Sequence, residues 1–157
     1  MSVQIHMTRT EAYLALNLLP KIGPVRVRRL LEVFGTPEAV LKAGVGAITK
    51  IDGFGRDLAE TVATWENTID LTRELRRIKE EDLTLLTQED DLYPRLLKEI
   101  HDPPTVLYVR GQLTDRDHHG IAMVGSRRAT QYGLSTAKKF SFQIAYAGYT
   151  VISGLAR

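Results

Sequence analysis

Cysteine is absent from the 157 residues, which excludes disulfides, a thiol nucleophile and a thiolate metal site. The composition agrees with a reducing, cytoplasmic setting. No apolar run approaches the ~20 residues of a membrane span, and Met1 to Arg9 lacks the long apolar core of a signal peptide. Methionine occurs only three times, too few for a Met-rich binding groove. Neither sign of charge dominates: 21 Lys and Arg against 19 Asp and Glu leave a net charge of +2, with a pI near 8.9. Such a balance does not select a nucleic-acid partner; the placement of the basic residues has to do that. The four histidines, His6, His101, His118 and His119, are scattered. Adjacent residues on an extended chain point apart, so the last two are not expected to share a metal. Neither Ser126 nor Ser153 has a histidine set by sequence to activate it, which argues against a hydrolase.

What is present is a globular composition, 43% hydrophobic and 25% charged, long enough for one ordinary domain or two small ones. Residues 8–68 read as helical. Thr8 with Glu11 makes a capping box, Pro24 and Pro37 suit first helical positions, Thr36 is a cap, and Gly35 closes a helix. Lys21-Ile-Gly-Pro-Val-Arg26 and Lys50-Ile-Asp-Gly-Phe-Gly-Arg56 look like an internal repeat of helix, glycine hairpin and helix. They resemble the helix-hairpin-helix module, whose hairpin N–H groups can hold a DNA phosphate. Gly23, Gly53, Gly55 and Arg56 are then possible secondary DNA contacts, against the plainer reading of tight connectors in a bundle. The alternating charges of residues 69–81 read as a solvated helix or a tether.

From Leu83 the pattern changes. Leu83–Thr87, Thr105–Val109, Ile121–Gly125 and Thr150–Ser153 read as strands, and residues 93–100 and 130–147 as helices. Alternating strands and helices imply a mainly parallel α/β sheet. Two small domains follow: residues 1–80, helical with a tether, and residues 81–157, the first part of a Rossmann-like sheet.

A crossover between the last two strands sets them parallel, with their carboxyl ends on one edge. Gly125, Ser126, Arg127, Arg128 and Thr130 follow one strand; Ser153, Gly154 and Arg157 end the chain after the other. Small residues, N–H groups at a helix start capped by Thr130, and fork-shaped guanidinium groups suit phosphate oxygens. Gly125 is expected where the backbone turns sharply and a ligand comes close. A nicotinamide site is disfavoured: Gly133 is the next glycine after Gly125, so the Gly-x-Gly-x-x-Gly spacing is missing. Ser153-Gly154 also stands where a ribose-binding acid belongs. Tyr132, near the turn, could stack a base or pack on the sheet.

Asp91-Leu-Tyr-Pro-Arg-Leu-Leu97, Asp102-Pro-Pro-Thr-Val-Leu-Tyr-Val-Arg-Gly111, Val124-Gly-Ser-Arg-Arg-Ala-Thr-Gln-Tyr-Gly133 and Ser153-Gly-Leu-Ala-Arg157 occur in an order that resembles the DprA (Smf) family of DNA-processing proteins. The resemblance covers essentially the whole chain. It implies a helix-hairpin-helix or sterile-alpha-motif-like domain followed by an extended Rossmann domain. It further implies binding of single-stranded DNA and loading of the RecA recombinase during natural transformation, with no catalysis and no cofactor. On it, Gly125, Ser126 and Arg127 form the phosphate-holding turn, with Ser153, Gly154 and Arg157 beside it; Tyr93-Pro94 and Asp102-Pro103-Pro104 are architectural. The family continues beyond Arg157, so the chain reads as an N-terminal piece whose open strand edge invites self-association. The RecA-contact surface is expected in the missing half. A competing reading uses the same turn to hold a small phosphorylated nucleotide.

Overall fold

The computed structural model describes residues 7–154. It divides into two compact units between Gly111 and Gln112.

The first unit begins with α1 (Arg9–Leu18), α2 (Pro24–Phe34), α3 (Pro37–Leu41), α4 (Val45–Ile48), α5 (Arg56–Ala63), α6 (Trp65–Thr68) and α7 (Leu71–Glu80). The helix boundaries follow capping chemistry. The Thr8 hydroxyl accepts from Glu11 N–H at 3.2 Å while the Glu11 carboxylate accepts from Thr8 N–H at 2.7 Å. Pro24 and Pro37 open α2 and α3, Thr36 caps α3, and Gly35 ends α2 at φ 81°. The stretch from Arg56 to Trp65 is not one helix: Thr64 leaves helical geometry and a separate turn begins at Trp65. Thr64 turns its hydroxyl back onto the Glu60 carbonyl at 2.7 Å, a local bond that competes with the helical ladder. The charged segment is a true helix, α7, capped by the Asp70 carboxylate and burying only Ile78.

The core of the helical region joins Leu16, Leu19, Ile22, Val27, Leu30, Val40, Ile48, Phe54 and Val62 with smaller neighbours. Full burial of an aliphatic side chain of this size contributes about 1.5–3 kcal/mol. The two hairpins are built alike around this core. Ile22 N–H donates to the Leu19 carbonyl at 3.2 Å, and Phe54 N–H to that of Ile51 at 3.0 Å. Lys21 and Gly53 hold the left-handed position at φ 64° and 82°, while Gly23 and Gly55 cap the next helix. The structural repeat is therefore Leu19–Gly23 with Ile51–Gly55, which pairs Ile22 with Phe54. The apolar residue that is buried sets the register, and that residue is Phe54, 3% exposed.

β1 (Leu83–Thr87) and β2 (Val106–Arg110) pair antiparallel, Leu83 opposite Arg110 and Thr87 opposite Val106, in a sheet of their own. This corrects the expected continuous, mainly parallel sheet. A parallel connection needs a crossover of a dozen or more residues, usually a helix; between these strands the only helix is α8 (Arg95–Lys98), four residues long. The sheet lies against α1 and α7, so the compact unit runs past residue 80 to Gly111. One knot of polar groups joins the two layers. Tyr13 donates to Glu89 at 2.7 Å, and Arg9 forks onto the same carboxylate at 2.8 and 2.9 Å. The Tyr93-Pro94 and Pro103-Pro104 segments are tied to each other: buried Tyr93 donates to the Pro104 carbonyl at 2.8 Å, and Gln88 to the carbonyls of Pro103 and Pro104 at 3.0 and 3.2 Å.

The second unit holds β3 (Gly120–Met123), α9 (Gln131–Tyr146) and β4 (Thr150–Ser153). β3 and β4 are parallel, Gly120 opposite Thr150 and Met123 opposite Ser153. The strand-helix-strand order of a Rossmann-like half is thus realised by these three elements. The loop before β3 is not plain coil. Asp115–His118 forms a 3-10 turn in which the Asp117 carboxylate accepts from Thr114 N–H at 2.6 Å and from the Thr150 hydroxyl at 2.8 Å. Those two bonds hold its carboxyl below the ordinary aspartate range.

The Tyr13 phenol is pushed up to about 12, chiefly by burial and then by its bond to Glu89, and the Tyr108 phenol likewise to about 12 by burial and by Glu74. A phenol raised on folding contributes stability below its unfolded value, and loses it as pH rises through its folded one. The urea midpoint is expected to hold up to about pH 10 and to fall between about pH 10 and 12. Tyr13→Phe is expected to lower stability at neutral pH by about 0.5–1.5 kcal/mol, with an unchanged m-value, and to soften the alkaline fall.

Candidate nucleic-acid interface

The edge at the carboxyl ends of β3 and β4 is set by their register. Met123 and Ser153 are partners, so residues 124–130 leave one strand where Gly154 leaves the other. Residues 124–130, Ser153 and Gly154 are all exposed. The Ser126 hydroxyl accepts from Arg128 N–H at 3.2 Å and folds the turn back on itself. The Thr130 hydroxyl accepts from Gly133 N–H at 3.1 Å, capping α9 as its position suggests. The 16-residue helix therefore begins at this edge, with its positive dipole end beside Arg127 and Arg128. Gly125, Ser126, Arg127, Arg128, Thr130, Ser153 and Gly154 thus share one edge. Arg157 lies outside the described residues.

The steric expectation for Gly125 does not hold. Its φ is not in the left-handed region, and a Cβ placed on it meets nothing within 4 Å; the same is true of Gly154. Neither glycine is required by the chain's own geometry. In this unit the glycines that the geometry requires are two others, Gly148 and Gly120. Gly148 sits at φ 89°, where its N–H bonds the Ala145 carbonyl at 3.0 Å and Tyr149 N–H bonds that of Ile144 at 3.1 Å, a Schellman end to α9. A Cβ on Gly120 would collide with the Ile152 side chain of the paired strand. The signal for Gly148 was present, a glycine directly after a helical run; that for Gly120 needs the register.

Exposed aromatics cluster on this unit. Tyr132 is 79% exposed in the first turn of α9, a helix that buries none of its residues. Phe142 and Tyr146 stack further along the helix with ring centroids 6.3 Å apart.

The other candidate residues belong to the first unit. Gly23 and Gly55 are helix caps, and Gly53 holds the left-handed corner of the second hairpin. An open hollow there is lined by Thr49 to Gly55. Arg56 is exposed and pairs through its Nε with Glu60 at 2.8 Å, an ion pair that raises the guanidinium's pKa further. The Arg29 guanidinium, which the sequence did not single out, takes the place by the hairpin. It donates to the Asp52 carbonyl at 3.2 Å, and its Nη1 lies 2.7 Å from where a Gly53 Cβ would sit. Among the described residues, no group of three or more His, Asp or Glu is placed to hold a metal, and no helix is long and apolar enough to cross a membrane.

A helical unit with paired glycine hairpins and a strand-helix-strand unit with a Gly-Ser-Arg turn define a class of protein, and comparison with known sequences supports it. Residues 13–63 match the family described as a SAM-like helix-hairpin-helix tandem, and residues 84–157 the family described as DNA recombination-mediator protein A. The chain is 34% identical over 151 residues to Protein Smf of Synechocystis, covering 93% of this chain and 38% of that protein. It is 33% identical over 87 residues to the DNA processing protein DprA of Bacillus subtilis, 55% of this chain and 29% of that one. Over 64 residues it is 42% identical to the UvrABC system protein C of Haloarcula marismortui, 40% of this chain and 11% of that one. The chain is thus similar to DprA and Smf proteins through both of its units. It spans well under half the length of these relatives.

Gly148→Ala is expected to cost about 1–2 kcal/mol, read as a lower melting temperature, because an alanine there must adopt the left-handed conformation. Gly125→Ala is expected to leave the melt unchanged, so any change in ligand binding at that position reports approach of the ligand and not damage to the fold.

Proposed function

We propose that this chain binds single-stranded DNA through the edge formed by Gly125, Ser126, Arg127, Arg128, Thr130, Ser153 and Gly154, with Arg157 following, as part of a recombination mediator and not as an enzyme. The observation that carries the reading is the place of Arg127 and Arg128 in an exposed turn that leads into the capped start of α9, beside the paired ends of β3 and β4. A phosphate met there finds N–H donors, a favourable dipole and bidentate partners together. Similarity to the DNA recombination-mediator family and to DprA and Smf proteins supports DNA as the source of that phosphate. In the whole protein the same reading assigns delivery of the bound strand to the RecA recombinase, in the cytoplasm. The hairpins at Gly23 and at Gly53 to Gly55 offer a secondary contact with DNA. The division of labour follows the two compact units, the helical one with its antiparallel sheet up to Gly111 as the accessory part and the strand-helix-strand one from Gln112 as the start of the Rossmann-like part.

The test is fluorescence anisotropy of a labelled single-stranded oligonucleotide across a range of salt. Binding is expected to weaken steeply with salt, as cations on the protein displace counterions from several phosphates. Arg127→Ala is expected to weaken it by about 1–3 kcal/mol with an unchanged melt. An unaltered affinity removes Arg127 from the site. A shallow salt slope with preference for a mononucleotide turns the reading to a small phosphorylated ligand.

A further inference from the structure

Charge is shared unevenly along the chain. From Gln112 to Arg157 six Lys and Arg stand against two acids, Asp115 and Asp117, a net charge of +4. The other 15 basic and 17 acidic residues leave the first unit at −2. No acid follows Asp117, so α9 carries Lys138 and Lys139 and no carboxylate.

Helix α9 has two unlike sides. Gly133, Ala137, Ser141 and Ile144 are half-buried at the three- and four-residue spacing of one helix face, and the helix packs on β3 and β4. Tyr132, Ser135, Lys139, Phe142 and Tyr146 recur at the same spacing on the other side, and all are exposed. Phe142 and Tyr146, the stacked pair, are 72% and 87% exposed. Among the described residues neither Lys138 nor Lys139 forms an ion pair. Three rings and two ammonium groups thus share about 21 Å of helix surface. The exposed cations of α7, Arg73 and Arg76, differ in this respect, because Glu74, Glu80 and Glu81 lie among them and that helix holds no aromatic.

The stripe has the spacing of a coiled-coil seam, but lysine at its centre and the charge of the unit oppose a second copy of the same face. A ligand that satisfies both rings and charge is a polyanion with open flat faces. In a single strand every base offers a π-face and every linkage a negative charge; in a duplex the faces are already stacked on one another.

We propose that the outer face of α9 is a base-stacking platform for single-stranded nucleic acid, on which Tyr132, Phe142 and Tyr146 stack bases while Lys138 and Lys139 hold the backbone. The proposal rests on the reading of this unit as a single-strand binder, but on residues other than those of the edge. A strand leaving the Gly-Ser-Arg turn meets Tyr132 first and runs along the helix toward Phe142 and Tyr146.

The experiment uses the full chain and labelled probes of equal length: a thymidine strand, an abasic strand and a duplex. Phe142→Leu/Tyr146→Leu keeps apolar bulk and removes the π-faces. Its affinity for the thymidine strand is expected to fall on the order of tenfold or more. Its affinity for the abasic strand and the duplex is expected to match the parent, as is its melt, because both side chains are exposed. Phe142→Tyr/Tyr146→Phe, which keeps both rings, is expected to bind like the parent. Lys138→Gln/Lys139→Gln is expected to lower the salt slope on the single strand by roughly 1.4, two phosphates' worth. An unchanged affinity of the leucine variant for the thymidine strand overturns the proposal and gives the rings to a protein neighbour. An equal loss on the abasic strand overturns it as well. A further measurement needs no variant: an iodouracil-substituted strand irradiated on the parent chain is expected to crosslink at Phe142 or Tyr146, and crosslinks confined to other residues overturn the proposal. Arg127→Ala separates this face from the edge. If it binds like the parent while the leucine variant is weakened, the edge fails and the platform stands; with the reverse result the platform fails and the edge stands.

Discussion

The burial of Ile22 and Phe54 is the constraint on which the helical unit depends. Each is the apolar residue at the corner of a hairpin, and each is pulled into the core shared by α1, α2, α3 and α5. Because the side chain points inward, the backbone on either side must turn outward, and the next glycine becomes the cap of a helix. The left-handed corner just before it is a consequence. Glycine fills it at the second hairpin; at the first, Lys21 accepts the conformation while its carbonyl is held by Arg26. The hydrophobic effect, which has no direction, is here converted into the aim of backbone N–H groups and of guanidinium side chains.

The second unit reaches a comparable arrangement by another route. There the deciding element is a parallel pair of strands, and the turn leaving β3 is aligned with the end of β4 by their register. Nothing in that turn is buried, and glycine at its centre is not demanded by the chain itself. Its residues face solvent and are free to be chosen for what they meet. The rigid parts lie elsewhere: in the end of α9 at Gly148, in the capped 3-10 turn at Asp117, and in the bond between Thr150 and that aspartate. A scaffold that puts its conformational demands at the far end of the helix leaves the near end open to a ligand.

Much of this was legible in the residues. Capping chemistry is local, so Thr8, Pro24, Gly35, Thr36, Pro37 and Thr130 could be read directly. The strand before Gly125 and the one ending at Ser153 were also visible, and the crossover rule pairs them. The antiparallel pairing of β1 with β2 was not visible, because strand direction depends on what the connection can span, and its four-residue helix was read as longer than it is. The docking of that sheet onto the helices was hidden for a similar reason: it runs through Glu89 and Tyr13, far apart in the chain and ordinary in themselves. Arg56 is a candidate contact in the sequence because it follows Gly55. Only the packing shows that Arg56 pairs with Glu60 and that Arg29 also stands at the hairpin.

Gly148 has a consequence for how tightly the second unit is metered. The helix ends by two defined bonds, and Thr150 N–H then meets the His119 carbonyl at 3.0 Å with no slack between. The step from helix to strand is thus counted in single residues. Since neighbouring positions on a strand face opposite sides, gaining or losing one residue between Tyr146 and Thr150 would exchange the faces of Ile152 and Ser153. The apolar side chain that now lies over Gly120 would be turned to the opposite face. A connection of this kind behaves like a reading frame: it tolerates substitution at many positions and length variation at none.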